Sequence, residues 1–112
     1  RSWTTPMRRG EVFRLRLPAR RSGHEQHGAR YGVIVQAGDL LALSTVIVAP
    51  TSTAAQPASF RPEILVKGKK TRVLADQLTA VDVRRLGASA GVVSLDELNA
   101  LDGALSTVLG LR

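Results

Sequence analysis

Arg30, Ser52 and Glu25 are a cation, a hydroxyl and an acid that one small site could hold together. A guanidinium stays protonated at neutral pH, so Arg30 is suited to binding a phosphate and stabilising the charge that develops on it. The Ser52 hydroxyl can donate a hydrogen bond to a phosphoryl oxygen, and Glu25 or a neighbouring loop histidine can accept a proton. These groups suit the cleavage of RNA, because the substrate's own 2′-hydroxyl is the nucleophile.

Structural roles for the same side chains remain open. Arg30 could pair with Glu25 and staple a loop, and Ser52 could close a turn by hydrogen bonding to nearby backbone. We expect Asp76 and Gln77 to fix the backbone and the dimer geometry rather than to take part in catalysis.

Other catalytic chemistries lack their parts in this sequence. There is no His-Glu-x-x-His motif, no carboxylate cluster and no glycine-rich phosphate loop, which argues against zinc hydrolases, two-metal nucleases and nucleotide hydrolases. The absence of cysteine excludes thiolate catalysis, thiolate metal ligands and disulfides. The spacing of His24 and His27 is only weak evidence for a metal pair, and a serine hydrolase built on Ser52 would lack the nucleophile elbow. We expect no metal and no cofactor.

An excess of positive charge points to an anionic partner. Sixteen lysines and arginines against nine acids give a net charge of +7 and a pI of about 11.3, which favours nucleic acid. The arginines are concentrated in the first third of the chain, so one face of the fold should be basic; a solvated surface without a ligand is the alternative reading. The residues expected to contact RNA are Arg20, Arg21, His24, His27, Thr51 and Thr53.

Length and composition indicate one folded domain. A chain of 112 residues has room for a single modest core, and a second subunit would help it to bury more surface. Residues 1–6 show neither strand nor helix periodicity, so we expect them to be a processing remnant and the domain to cover residues 7–112. No apolar run approaches the roughly 20 residues of a membrane span, and no signal-peptide pattern is present. We therefore expect a cytoplasmic protein with no membrane partner.

Apolar patterns predict about five β-strands followed by a helix. The predicted strands cover residues 11–17, 31–36, 45–49, 63–66 and 71–74. The turn-prone Gly38-Asp39 predicts a central hairpin between the second and third strands, and Gly68 favours another between the fourth and fifth. Residues 81–86 are ambiguous between a strand and a helical turn. Ser94 and Glu97 form a capping-box pattern, after which leucines recur at helical spacing through Leu109, so a C-terminal helix should cover the open side of a barrel.

Several segments in this order resemble the motifs of the MazF/PemK toxins. They are Gly10-Glu11-Val12, the polar run Gly23 to Arg30 with the apolar strand Tyr31 to Gln36, Val46 to Ser52, and Val73 to Gln77. The resemblance covers nearly the whole chain from Met7, and the combination is specific although each segment alone is weak. Tyr31 stands where the family usually has proline after the arginine.

The resemblance implies a mainly β fold with a C-terminal helix, of the CcdB/MazF-like, SH3-like β-barrel type. It also implies a homodimer that cleaves single-stranded RNA (mRNA, tRNA or rRNA) sequence-specifically without a metal, inhibits translation and is neutralised by a cognate antitoxin. The family's active-site arginine and hydroxyl correspond to Arg30 and Ser52, with Glu25 as the loop acid. Because Thr51, Ser52 and Thr53 are consecutive, the catalytic hydroxyl could also be that of the residue before or after Ser52.

A second function class is compatible with the same charge pattern. A binding protein on this barrel could inhibit a target, as the related gyrase-poisoning toxins do, or could hold RNA without cutting it. A pure binder has no need for a compact set of acid, cation and hydroxyl, so the joint presence of Glu25, Arg30 and Ser52 favours the nuclease.

Overall fold

The computed structural model describes residues 7–16 and 30–111. Within these ranges the chain forms seven β-strands, three short 3-10 helices and one α-helix. The strands are β1 (Glu11–Leu15), β2 (Tyr31–Ile34), β3 (Thr45–Ser52), β4 (Glu63–Val66), β5 (Lys69–Val73), β6 (Thr79–Asp82) and β7 (Leu86–Val92). The 3-10 helices are Gly38–Leu40, Ala75–Gln77 and Val83–Arg85, and α1 is Leu95–Leu109.

The strands form one curled antiparallel sheet in the order β4-β5-β3-β2-β1-β7, with β6 placed beside β3. The long strand β3 changes its neighbour along its length. Its first half pairs with β6, from Thr45 opposite Asp82 to Val48 opposite Thr79, whereas Thr51 and Ser52 pair with β5. Its other edge pairs with β2. The sheet therefore bends around β3, and the C-terminal end of this strand lies between β2 and β5.

The N-terminal strand β1 lies between β2 and the last strand. Glu11 is opposite Val92 and Leu15 is opposite Leu86, with two irregularities in the register between them. Ser89 Oγ also donates a hydrogen bond to Glu11 Oε2 over 2.6 Å. This pairing joins the first and the last strand of the described chain.

Both faces of the central strands are covered. Val33 and Ala49 belong to the larger apolar cluster, which packs under α1 through Leu101, Ala104 and Leu105. Ile34 and Val48, one residue along each strand, belong to a smaller cluster on the opposite face, together with Val46. Strands that are buried on both faces are continuously apolar instead of alternating, which is the pattern these segments show.

The helix α1 begins at a complete capping box. Glu97 N donates to Ser94 Oγ over 3.1 Å, and Ser94 N donates to Glu97 Oε1 over 2.8 Å. The second carboxylate oxygen of Glu97 accepts a hydrogen bond from Leu65 N over 2.9 Å, which satisfies a backbone donor of β4. The cap therefore also ties the helix to the edge of the sheet. Gly110 ends the helix in the left-handed conformation, with φ of 67°.

The expected class, mainly β with a C-terminal helix, is confirmed, as is the central β2–β3 hairpin. The expected count of about five strands is wrong, because β6 and β7 are additional strands. The ambiguous run 81–86 contains the end of β6, a 3-10 helical turn and the first residue of β7. The sequence of β7, Leu-Gly-Ala-Ser-Ala-Gly-Val, consists mostly of small residues and has no apolar alternation. The fifth strand begins at Lys69 rather than Thr71, because the turn uses only Lys67 and Gly68, both at positive φ. No helix within the described residues is long and apolar enough to cross a membrane.

Candidate active site

Arg30 and Ser52 occupy matching positions at the ends of β2 and β3. The last pair of the β2–β3 register is Gly32 with Pro50, and Arg30 and Ser52 each lie two residues beyond it, at positions that face each other if the ladder is continued. On the other side of Arg30, Leu15 N donates to its carbonyl over 2.8 Å, which continues the β1–β2 ladder. Residues opposite each other in adjacent antiparallel strands project from the same face of the sheet. The sheet thus brings the arginine and the hydroxyl to one face.

The neighbouring hydroxyls differ from Ser52 in position. Thr51 is buried, with 4% exposure, and its hydroxyl donates to Tyr31 O over 3.2 Å. Because successive residues of a strand face opposite sides, Thr51 belongs to the face that α1 covers. Thr53 follows the strand and is exposed. Of the three, Ser52 is the hydroxyl that is both within the strand and on the face of Arg30.

Ser52 is held by a tight local turn. Its Oγ accepts a hydrogen bond from Ala54 N over 3.1 Å, while the side chain stays partly exposed. A serine oxygen that accepts from the backbone still has its O–H proton available for donation. The turn therefore fixes the hydroxyl and leaves its donor function free.

Arg72 is a second cation beside Ser52. It lies opposite Ser52 in the register between β3 and β5. Arg72 Nη1 donates to Arg61 O over 2.8 Å, and Nη2 lies 3.7 Å from Glu63 Oε1. These contacts fix the guanidinium and satisfy part of its charge.

The loop between β3 and β4 is anchored by an ion pair between Arg61 and Asp76. Arg61 Nε donates to Oδ1 over 3.1 Å and Nη2 donates to Oδ2 over 2.9 Å. Hydrogen bonding from Arg61 lowers the pKa of Asp76 from its usual value, and the same bonds raise the pKa of Arg61. This bidentate pair joins the end of the Ser52 loop to the 3-10 helix before β6.

The sequence model of PemK-like, MazF-like toxins of type II toxin–antitoxin systems matches residues 8–109. The chain belongs to this family. A candidate toxin of Mycobacterium tuberculosis (strain ATCC 25618 / H37Rv), Rv3098A, is 40% identical over 104 residues, which cover 92% of this chain and 97% of the relative. The resemblance to MazF/PemK toxins is therefore confirmed.

Solved structures of this family share the fold. A mycobacterial endoribonuclease in complex with its cognate antitoxin has a TM-score of 0.78 at 24% identity, covering 95% of this chain and 97% of that one. MazF from Deinococcus radiodurans has a TM-score of 0.76 at 23% identity, and the match covers 96% of this chain and 99% of that chain. The Mycobacterium tuberculosis toxin MazF-mt6 has a TM-score of 0.74 at 19% identity, and the match covers 91% of this chain and 98% of that chain. The expected MazF-like architecture is confirmed by these similarities.

Five of the residues predicted to act in this MazF-like site lie outside the described residues. They are Arg20, Arg21, His24, Glu25 and His27. Among the residues that are described, no group of three or more His, Asp and Glu gathers as metal ligands would. The described part of the candidate site therefore consists of Arg30, Ser52 and their neighbours.

The fold brings to this region cations that the sequence pattern did not assign to the site. Arg72 lies beside Ser52, and a cavity of about 320 Å³ next to Arg30 is lined in addition by Arg16 and Arg85. Arg72 could have been found from strand alternation, because its neighbour Thr71 is buried and successive strand residues face opposite sides of the sheet. Arg85 had no signal of its own, because its place depends on the pairing of β1 with β7.

Proposed function

We propose that this MazF-like chain is a toxin that cleaves single-stranded RNA sequence-specifically, without a metal, and thereby inhibits translation and growth. The observation that carries the proposal is the position of Arg30 and Ser52, each two residues beyond the paired Gly32 and Pro50 of adjacent strands. The family and the solved relatives described as endoribonucleases support the same reaction class. An RNA target makes the cytoplasm the place of action.

The two described side chains have distinct roles in this reaction. When the 2′-hydroxyl attacks the adjacent phosphorus, negative charge accumulates on the non-bridging oxygens of the phosphorane. Arg30 can stabilise this charge through its fixed positive charge and paired N–H donors. Ser52, whose oxygen is already held by Ala54 N, can donate its proton to one of the same oxygens. The reaction releases a 5′-hydroxyl and leaves a 2′,3′-cyclic phosphate.

The proton acceptor is assigned from sequence. Glu25 is our choice, with His24 or His27 as the alternatives, because the reaction needs a base for the 2′-hydroxyl proton and a donor for the leaving oxygen. Arg20 and Arg21 in the same segment, with Thr53 at the exposed end of β3, are assigned to RNA binding. Thr51 is a poor candidate for RNA contact because its hydroxyl is buried and bonded to Tyr31.

We propose two protein partners. One is a cognate antitoxin, as in the solved complexes of a mycobacterial endoribonuclease and of the Deinococcus MazE-MazF pair. The other is a second copy of this chain. A cavity of about 410 Å³ has a mixed lining that includes the polar residues Arg9, Gln36, Asp102 and Ser106. Its apolar members include Ile47, Leu109 and Leu111, which are 40%, 51% and 67% exposed. A second copy would cover this apolar surface.

One experiment tests the reaction directly. Purified protein is mixed in excess with labelled single-stranded RNA of mixed sequence in the presence of excess EDTA, and the product ends are sequenced and chemically identified. We expect cuts at defined sequences, with 2′,3′-cyclic phosphate and 5′-hydroxyl ends. Activity that disappears on chelation would contradict the metal-free mechanism. Tight binding without cutting would favour the non-catalytic toxin instead.

A further inference from the structure

A cavity of about 320 Å³ lies next to the candidate catalytic arginine and is strongly basic. Its lining consists of Leu15, Arg16, Arg30, Pro50, Gln77, Thr79, Ala80, Val81 and Arg85. It contains three arginines, and no aspartate or glutamate belongs to this described lining. A cavity with this composition favours an anionic ligand of small-molecule size.

Among the described residues these arginines form no ion pair with a carboxylate, although the pKa of Asp82 is lowered by hydrogen bonds from Arg84 and, to a smaller extent, by the charge of Arg85. The salt bridges found within residues 7–16 and 30–111 involve none of Arg16, Arg30 and Arg85. The adjacent Arg84 differs, because it donates from Nε and Nη2 to the carboxylate of Asp82. Two consecutive arginines thus have different partners: Arg84 is paired, whereas Arg85 faces the cavity.

Arg85 is held in place by backbone contacts that leave part of its guanidinium for a ligand. Arg16 N donates to Arg85 O over 2.8 Å, and Arg85 Nε donates to Arg16 O over 2.9 Å. The reciprocal bonds use only Nε of the side chain. An arginine oriented in this way can present its two Nη groups to phosphate oxygens without losing its position.

The remaining walls have the character of a site for a nucleobase. Leu15, Pro50 and Val81 supply apolar surface, while the side chains of Gln77 and Thr79 are polar and belong to exposed residues. The amide of Gln77 has donors and an acceptor side by side, which can match the edge of a base. Gly32 makes room for this wall, since a Cβ at this position would lie 3.0 Å from Leu15 Cδ1.

We infer that this cavity is a nucleotide subsite, which binds the RNA residue adjoining the cleaved bond. Arg16 and Arg85 hold the phosphate of that residue, and Gln77 and Thr79 select its base. This inference rests on the proposed ribonuclease function and extends it by locating part of the sequence preference on the β6 side of Arg30.

The base contacts are tested with Gln77→Ala and Thr79→Val. Single-turnover cleavage of a randomised single-stranded RNA library is followed by sequencing of the cut ends. We expect the preference at one position next to the cut to fall by about 10-fold or more, on the scale of a lost base contact. The maximal rate on the best substrate should change far less, because Arg30 and Ser52 are intact.

The phosphate contact is tested with Arg85→Ala beside the matched control Arg84→Ala. RNA affinity of Arg85→Ala should fall by about 10-fold, and the slope of log Kd against log salt should decrease by about 1. Arg84→Ala should keep the parental slope because Asp82 already neutralises that side chain. If the Arg85 side chain only held the backbone of Arg16 in place, its loss would lower the melting temperature without changing the salt slope.

The proposed function and the nucleotide subsite can be disproved separately. A parent protein that cuts no RNA overturns the proposed function and the subsite with it. A parent that cuts RNA, with Gln77→Ala and Thr79→Val variants that keep its base preference and an Arg85→Ala variant that keeps its salt slope, overturns the subsite alone.

Discussion

Arg61 and Asp76 meet through two parallel hydrogen bonds, although fifteen residues separate them in sequence. The pair connects the loop that leaves Ser52 to the 3-10 helix that precedes β6. The backbone of Arg61 also accepts a bond from Arg72, the cation beside Ser52. One ion pair therefore links the candidate hydroxyl, the second cation and the strand that borders the proposed subsite.

The ion pair should make the stability of the protein sensitive to acid. The pKa of Asp76 in the folded state lies below its usual 3.8, so its contribution is fully present above that value and is lost as pH falls through the lowered pKa. Asp76→Asn should lower the melting temperature by a few degrees near pH 7, because the pair is partly exposed. Thermal unfolding from pH 7 to pH 2 should show parent and variant converging at the acid end. Asp39→Asn is the control, and a constant difference across the range would contradict this origin.

Arg30 should matter for the chemical step more than for binding. Arg30→Ala removes the proposed stabilisation of the phosphorane, so the single-turnover rate should fall by about 100-fold or more. RNA affinity should fall far less, because the other arginines retain most of the phosphate attraction. Arg20→Ala and Arg21→Ala should instead weaken binding and spare the rate at saturating RNA. A folded Arg30→Ala protein that cuts at the parental rate would return this arginine to a structural role.

The three consecutive hydroxyls can be separated by their positions in β3. Ser52→Ala should lower the cleavage rate by about 100-fold, because the proposed donor to the phosphoryl oxygen is lost. Thr53→Ala should change the rate by only a few fold. Thr51→Val should mainly lower stability, since it removes a buried hydrogen bond to Tyr31 O. Single-turnover rates and melting temperatures of the three variants check the assignment, and equal rates for Ser52→Ala and the parent would refute it.

Antitoxin and RNA should compete for the same surface. The arginines assigned to RNA binding should attract RNA phosphates, and an acidic, partly disordered antitoxin segment has the charge to occupy the same surface. Addition of cognate antitoxin should release labelled RNA from a cleavage-deficient Arg30→Ala protein in a fluorescence anisotropy titration. RNA that stays bound at saturating antitoxin would show that neutralisation works by another route.

The apolar surface at the end of α1 should determine the oligomeric state. Leu109→Asp places a charge beside Ile47 and Leu111 at the proposed contact between copies, so sedimentation equilibrium should show monomers where the parent is a dimer. Leu95→Asp, at the other end of the same helix and 73% exposed, should leave the parental mass. A monomeric parent would contradict the proposed dimer directly.

Local signals in the sequence predicted much of the fold. The capping box at Ser94 and Glu97 and the turn at Gly68 depend on residues within a few positions of each other, and both are present. Of the leucines at helical spacing, Leu101 and Leu105 are buried, whereas Leu109 is 51% exposed.

The candidate site was predicted only in part, because most of its described members meet through long-range register. Arg30 directly precedes the apolar run of β2, and Ser52 follows the apolar run of β3, so both could be located from the sequence of one hairpin. Arg72 reaches Ser52 across the β3–β5 pairing, and Arg85 reaches Arg16 across 69 residues. Neither spacing follows from local periodicity, since a strand's neighbours depend on the topology of the whole sheet.

The pairing of β1 with β7 also sets the order in which the protein can be completed during its own synthesis. Glu11 is synthesised long before its partner Val92. Until then β1 presents an unpaired edge, and the contact between Arg16 and Arg85 cannot form. Contacts of such long sequence separation close late and slow folding. A nascent chain should therefore lack a finished site until β7 has been synthesised and has paired with β1.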